Sequence, residues 1–424
     1  MFAPLLVLIF GVATVAIARR TLAPSQDSDR FVLLLLLGFA LRIVAHGVVR
    51  NVGLFSGGGA SQGDGAAYEQ ATWVVVRLWE YQGFSLFSAE EIGVTAASNA
   101  LLAVHVYAAI AFLSGGEVTA VGCAAFNAFL AALTCLQLFR LGTTIKGTNY
   151  DSRVVALAMY FSPAFVLYTS DMFKDGISAF LVVSAVLIAF RLSERFNPID
   201  AVLGVLCLGL IWYVRFYLVF LVSAPLVMSL IGVRSGSPSR LVIASAFMFA
   251  AGLALIGTQS AETALEFGTY TFDHATAENV LASNASGGSG VEFSGGPWAS
   301  FPLKLVYTLL SPFPWDFRST SIGFQIGKID ALIWAFFLLR AFRGMKRMWK
   351  DDRGTLLMFL VVLVPLTIAY ATTMANIGLI LRQRIPIVLL GAVLAVRGVP
   401  LRRSEEASAP ATPQPRVSTR PALR

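Results

Sequence analysis

Charged residues are scarce in this sequence of 424 residues. Asp, Glu, Lys and Arg together make up 13% of it, about half of the share found in soluble domains, whereas hydrophobic residues make up 57%. A water-facing surface of ordinary polarity cannot be built from this composition, so a soluble globular fold is excluded. The sequence instead predicts an all-α, polytopic integral membrane protein whose first partner is the lipid bilayer.

Cysteine and histidine are rare too, with three residues of each. The cysteines all lie within apolar runs, so neither a disulfide framework nor a cysteine metal site is expected. His105, His274 and Glu117 are too far apart along the chain to predict a metal site. A P-loop, a GxSxG elbow and a histidine zinc motif are missing as well, which disfavours ATP-driven and serine-hydrolase functions.

Long apolar runs are abundant, and a helix needs about 20 such residues to cross the hydrocarbon core. Eleven transmembrane helices are predicted, near 2–18, 31–49, 118–139, 154–169, 176–190, 199–213, 216–232, 241–257, 322–339, 355–372 and 385–396. Two shorter runs, 99–114 and 302–315, are expected to form partial or interfacial helices, the second because it contains three prolines.

The basic residues are scattered between these runs, so the net charge of +8 indicates membrane orientation and not nucleic acid binding. Placing the N-terminus outside puts 22 of the 32 basic residues in inner segments and nine in outer ones. Residues 1–30 are then an extra helix with a cytoplasmic linker, and 31–396 are the main transmembrane domain, with outer loops 50–98 and 258–321. The Pro/Ser/Ala-rich segment 397–424 is expected to be a disordered cytoplasmic tail.

Two groups of acids lie on the predicted outer side. Asp64 is flanked by Gly63 and Gly65, which allow close approach of the backbone to a ligand, although an Asp-Gly turn explains the same pattern. Glu69 is either a second acid or an exposed helix residue.

Asp171, Lys174 and Asp175 lie on the outer side, at the start of the following helix. They share one face if that turn is helical. An N-cap role explains Asp171 but not Lys174, whose charge opposes the helix dipole unless an anion is nearby.

Three arginines interrupt apolar text on the same side: Arg215 in IWYVRFYLVF, and Arg382 with Arg384 in NIGLILRQR. Interfacial snorkelling and anchoring to lipid headgroups are the alternatives to a binding role. Arg42 and His46 share one helix face, where an interhelical hydrogen-bond pair is favoured over catalysis.

The motif SPFPWDFRS places Trp315 at the interface as a belt anchor or a substrate contact. Cations that converge at headgroup depth suit a phosphate or pyrophosphate, and a neighbouring carboxylate suits removal of a proton from an attacking hydroxyl. Together they predict transfer from a phosphorylated lipid.

Four motifs, GDGAAYE, SPAFVLYTSDMFKDG, PFPW and NIGLILRQR, occur in this order along residues 31–396. With them the chain resembles the GT-C-fold membrane glycosyltransferases that use polyprenyl-phosphate sugars, such as protein O-mannosyltransferases and aminoarabinose transferases. The resemblance implies a GT-C-like fold, Asp64 as the general base, and Lys174, Arg382 and Arg384 as ligands of the lipid phosphate.

Many members of that family carry two acids in the first-loop motif, whereas here Glu69 lies five residues after Asp64. This departure leaves open whether a divalent cation takes part and which acid is the base. The implied partners are a polyprenyl-phosphate-linked sugar donor and a glycan, lipid or protein acceptor. The implied location is the bacterial inner membrane, with an extracytoplasmic active site. A flippase for lipid-linked sugars and a polysaccharide polymerase or ligase with a polyprenyl-diphosphate donor are the alternative functions.

Overall fold

The fold is all-α throughout the part of the chain that the structure describes. In the computed structural model these residues are 2–52, 64–94, 100–231, 291, 298, 300–317, 322–373 and 376–398. The helices are α1 (Phe2–Thr21), α2 (Gln26–Val52), α3 (Asp64–Gln82), α4 (Ala89–Ile92), α5 (Leu101–Leu113), α6 (Ala120–Thr144), α7 (Asn149–Tyr160), α8 (Pro163–Tyr168), α9 (Asp175–Glu194), α10 (Pro198–Ile231), α11 (Phe301–Leu310), α12 (Ile322–Asp351), α13 (Arg353–Thr372), α14 (Ile377–Gln383) and α15 (Ile385–Leu394), followed by a 3-10 turn (Ala395–Arg397).

Seven of these helices are long and apolar enough to cross a membrane: Phe2–Thr21, Gln26–Asn51, Ala120–Thr144, Asp175–Glu194, Pro198–Arg215, Ile322–Asp351 and Arg353–Thr372. The pair Ile377–Gln383 and Ile385–Arg397, bent by 52°, is an eighth if it forms one span. The chain is therefore an all-α protein with the helices of an integral membrane protein. Each of the seven coincides with a predicted span.

The remaining predicted spans differ from single helices for local reasons. Segment 154–169 is divided between α7 and α8, because Pro163 starts a new helix after an extended Ser162. Segment 216–232 is the shorter second limb of α10, which is interrupted at Arg215. Span 241–257 lies outside the described residues, as do most of loop 258–321 and the tail from 399.

The two short apolar runs form helices too short to span, as predicted: α5 has 13 residues and α11 has 10. Residues 26–30, predicted as linker, belong to α2. In loop 50–98, α3 packs against α5, and the buried residues of α3 include Tyr68, Val75 and Val76.

The core is centred on α9, whose residues are almost all buried and which packs against α10 and α6. Along α6, Asn127 contacts the segment before α9 and Lys146 follows the opposite end. These two positions are about 30 Å apart at the rise of an α-helix, which is about the thickness of the hydrocarbon core. The helix bundle therefore has two ends, one near Asn127 and the other near Lys146, and charged residues lie at both.

Candidate functional site

At one end of the bundle, four charged side chains from four helices form one network. Arg382 of α14 donates from Nη1 to the Asp64 carboxylate, at the start of α3, and from Nε to Asp175, at the start of α9. Arg215, at the interruption of α10, donates to the other oxygen of Asp175. We name Asp64, Asp175, Arg215 and Arg382 the transfer network. Sequence positions more than 300 residues apart thus meet, as predicted.

Local backbone structure places three of the four members of the transfer network. Asp175 lies in the first turn of α9, where the helix dipole favours a carboxylate. Arg215 has an extended conformation, φ −156° and ψ 85°, which ends the first limb of α10 and directs the side chain to Asp175. Asn376 caps α14 by accepting hydrogen bonds from Gly378 N at 2.8 Å and Leu379 N at 3.2 Å, so that Arg382 falls in the last turn.

Lys174 immediately precedes α9 and borders this network. Its Nζ lies 6.0 Å from the centroid of the Tyr68 ring, and burial together with the neighbouring guanidiniums of Arg215 and Arg382 lowers its pKa to about 7. A bound anion would raise the pKa of Lys174 again, because it would offset the repulsion by the two arginines. A cation in this position is suited to a ligand that carries negative charge.

Asp64 combines access to solvent with an ionised carboxylate. Burial raises its pKa, but the Arg382 guanidinium outweighs burial, and the pKa lies below its usual range. The side chain is 52% exposed, so a bound hydroxyl group can reach it. An accessible carboxylate that is ionised at neutral pH is able to accept a proton.

A second network lies beside the first and holds two of the predicted site residues. Arg50, near the end of α2, donates to both oxygens of Asp171, from Nε at 3.1 and 3.0 Å, and also to Glu69. His46 Nδ1 lies 3.3 Å from Asp171 Oδ1. Burial raises the pKa of Asp171, but His46 and Arg50 more than compensate and lower it. We name Arg50, Glu69, Asp171 and His46 the support network.

Asp171 and Glu69 therefore pair with an arginine that the sequence did not single out. Residues 169–174 are not helical, so the proposed shared face of Asp171, Lys174 and Asp175 does not form. Arg50 has a sequence signal all the same, because it follows Arg42 and His46 at intervals of four residues on α2. Arg42 bonds to Thr169 Oγ1 and to the Tyr160 carbonyl, both at 2.7 Å, in agreement with the interhelical hydrogen bonding predicted for it.

The two networks touch at Gly65. A Cβ atom at this position would lie 3.0 Å from Asp171 Oδ2 and 3.6 Å from the Phe173 ring. The glycine after Asp64 thus permits the first turn of α3 to pack directly on the support network. Close backbone approach was predicted for this glycine, but its neighbour here is a carboxylate of the protein itself.

Arg384 lies elsewhere, in a fully buried cluster. It donates to Asp330 Oδ2 at 3.3 Å and to the Ser311 carbonyl at 2.5 Å, and its side chain is 1% exposed. Asp330 Oδ1 accepts in turn from the Ser162 hydroxyl and from Ala164 N. This arginine joins α12, α15 and the α8 region, and its guanidinium is not directed toward the transfer network.

Trp315 is on an exposed turn. Its ring stacks on Phe313 with centroids 5.2 Å apart, and 71% of the residue is accessible. The PFPW motif thus presents an aromatic surface at this turn, while Arg318 of the same motif lies outside the described residues.

The described residues of this site supply hydrogen-bond donors for an anion but not a set of ligands for a metal ion. Within the described ranges, no group of three His, Cys, Asp or Glu side chains could hold a metal ion, and both carboxylates of the transfer network face arginines. The donor set therefore does not fit a divalent cation. Arg382 Nη2 is buried and has no hydrogen-bond partner among the described residues, so the network retains one donor for an anion.

A cavity of about 440 Å³ lies along α3 and reaches Ala66, two residues after Asp64 in the first turn of this helix. Its walls include Glu69, Gln70, Trp73, Arg77 and Glu117, and the Arg77 guanidinium lies 4.9 Å from the centroid of the Trp73 ring. A half-exposed aromatic ring among charged and amide groups suits a polar, hydroxylated molecule. Protein-family models, curated proteins and solved structures give no match to this chain.

Proposed function

We propose that this protein is a glycosyltransferase that moves a sugar from a polyprenyl-phosphate carrier to an acceptor hydroxyl. The observation that carries the proposal is the convergence of Asp64, Arg382, Asp175 and Arg215 from four helices, with Lys174 beside them. An accessible base next to several cations is the combination that displacement of a phosphate leaving group requires. The resemblance to GT-C-fold enzymes noted from the sequence points to the same reaction.

In the proposed reaction, the acceptor oxygen attacks the anomeric carbon while the Asp64 carboxylate takes the hydroxyl proton. The bond between the anomeric carbon and the phosphate oxygen breaks, and the lipid phosphate leaves with the electron pair. Arg382, Arg215 and Lys174 stabilise the charge that develops on the phosphate.

Arg382 has a double role in this scheme. In the unliganded protein it pairs with Asp64 and holds the pKa of that carboxyl low. When a phosphate competes for the guanidinium, Asp64 loses this partner, and its pKa rises toward the ordinary value. Donor binding would thereby make Asp64 a stronger base at the moment when the acceptor needs one.

The acceptor is a glycan, lipid or protein, and the cavity beside α3 is the proposed space for it because it adjoins the turn of Asp64. The proposed location is the bacterial inner membrane with the transfer network on the extracytoplasmic side. Support comes from the basic loops at the opposite end, where Arg397 bonds to the Lys146 carbonyl and to Asp351.

Transport of a lipid-linked sugar is the second candidate function. Two interrupted helices meet at the transfer network, α10 at Arg215 and α14 with its 52° bend into α15. Transporters commonly form binding sites from discontinuous helices of this kind. A polymerase or ligase with a polyprenyl-diphosphate donor would use the same cations.

The test uses purified protein in proteoliposomes with a panel of labelled polyprenyl-phosphate sugars. We expect one donor to raise the melting temperature and its sugar to appear on an acceptor. Asp64→Asn should keep donor binding and lower transfer by about 10²–10⁴-fold, the usual contribution of a general base. Asp351→Asn is the matched control, since this exposed acid also pairs with an arginine but lies at the other end.

Undiminished transfer by Asp64→Asn would remove this residue from the mechanism. Movement of labelled donor across the bilayer without transfer would favour the transporter.

A further inference from the structure

A second binding site lies at the basic end of the bundle, remote from the transfer network. Helix α12 has 30 residues and is about 45 Å long, whereas the hydrocarbon core is about 30 Å thick. About one third of the helix must therefore extend into or beyond the headgroup region. The segment 341–351, which contains Arg343, Lys346, Arg347 and Lys350, is the part with the charge to do so.

An apolar stripe precedes these cations on the same face of α12. Ile329, Leu332, Phe336 and Leu339 are exposed and follow one another at intervals of three or four residues. At 100° per residue, Arg343, Lys346 and Lys350 continue this stripe toward the end of the helix, and all three are exposed. Acyl chains along the apolar part would bring a headgroup to the cations.

A cavity of about 480 Å³ lies where α12 turns into α13. Its floor is apolar, with Met345, Leu356 and Leu360, and its rim carries Trp349 and the cations Lys346, Arg347 and Lys350, of which Arg347 donates to the Gly398 carbonyl. An apolar floor below a basic rim fits an amphiphile with a negative headgroup, and an interfacial tryptophan is typical of this depth.

The acids near this cavity are engaged with other groups. Asp352 caps α13 by accepting from Thr355 N at 3.1 Å, and Asp351 pairs with Arg397 at 3.2 Å. Within the described ranges no ion pair joins Lys346 or Lys350 to an acid. Both side chains are exposed, so an external anion can reach them.

We propose that this cavity is a site for a diacyl phospholipid with an anionic headgroup. The headgroup phosphate contacts Lys346, Lys350 and Arg343, and the acyl chains lie along the exposed apolar stripe of α12. The proposal is independent of the glycosyltransferase function, because it concerns the opposite end of the bundle and none of the residues of the transfer network.

The test measures lipid binding to the full-length protein by native mass spectrometry. The probes are phosphatidylglycerol and phosphatidylcholine with identical acyl chains. We expect the wild type to prefer phosphatidylglycerol. The variant Arg343→Gln/Lys346→Gln/Lys350→Gln should bind it more weakly by about fivefold for each cation removed, with phosphatidylcholine binding unchanged. Because all three residues are exposed, helix content and elution volume should match the wild type.

Two control variants sharpen this experiment. Arg19→Gln/Arg20→Gln/Arg30→Gln removes three exposed cations elsewhere on the chain and should retain the preference for phosphatidylglycerol. Lys346→Arg/Lys350→Arg keeps the charge and should also retain it.

Equal binding of the two lipids by the wild type would overturn the proposal, and so would an equal loss in the Arg19/Arg20/Arg30 variant. Displacement of phosphatidylglycerol by millimolar inorganic phosphate would show a site for small anions and not for a lipid. Donor binding at the transfer network, measured on the same variants, reports separately on the proposed enzyme function.

Discussion

Arg382 and Arg384 are two residues apart in one segment, yet they belong to different parts of the molecule. Arg382 faces the partly exposed transfer network, whereas Arg384 is fully buried against Asp330. Residues at this spacing point to nearly opposite sides of a helix, and the bend between α14 and α15 falls at Arg384. The same residue type thus forms a partly exposed ion-pair network on one side, where we propose that it binds a ligand, and packs in the core on the other.

The largest effect is expected at the buried pair. Arg384→Met leaves Asp330 as a buried acid without its cation, which should lower the free energy of unfolding by about 3–5 kcal/mol. Adding Asp330→Asn removes that charge but keeps an acceptor for Ser162 and Ala164 N, so we expect recovery of much of the loss. Thermal denaturation in detergent measures both, and an unchanged melting temperature for Arg384→Met would contradict the assignment.

For Arg382→Gln we expect a smaller loss of stability than for Arg384→Met, together with a large loss of transfer activity. Asp175 keeps Arg215, and Asp64 is exposed enough to be solvated, so the protein should fold. Loss of one preorganised cation should lower transfer by about 10²–10³-fold. The comparison between the two arginines fails if Arg382→Gln destabilises the protein as much as Arg384→Met and leaves the transfer rate per folded molecule intact.

The smallest effect is a pH dependence of donor affinity. We expect it at the transfer network, which contains Arg382, and not at the buried cluster of Arg384. With a pKa of about 7, Lys174 loses its proton as the pH rises above 7, and donor affinity should fall by up to about tenfold per pH unit. Stability should change in the opposite direction. Between pH 7 and the ordinary lysine pKa near 10.5, the unfolded chain binds more protons than the folded chain, so stability rises with pH.

Lys174→Arg should move the fall in donor affinity to much higher pH, because arginine stays protonated there. Donor titrations at pH 6, 7, 8 and 9 provide the measurement. An identical fall in the wild type and in Lys174→Arg would assign the pH dependence to another group.

Of the four cations that the sequence predicts beside Asp64, the structure places three there, and Arg384 lies in a separate buried cluster. Arg215 and Arg382 interrupt apolar text on the side assigned to Asp64 and Lys174, and the structure brings all four together. Positional statistics of basic residues carry this information because they reflect the whole membrane topology.

Pairing inside each end could not be predicted in the same way. Asp330 lies within an apolar span, 54 residues from Arg384, and only the packing of α12 against α15 makes it the partner. Arg50 lies four residues after His46 on α2, a spacing that places both on one helix face, but only the folded chain brings the two to Asp171. Helix packing determines which of these residues come together. The packing cannot be predicted from a single sequence.

The single hydrogen that serves as the side chain of Gly65 has a mechanical consequence. A methyl group at residue 65 would lie too close to the Asp171 carboxylate. Either the first turn of α3 or the Asp171 side chain would have to shift by a few tenths of an ångström. The substitution Gly65→Ala would therefore displace the turn that carries Asp64 without altering any ionisable group.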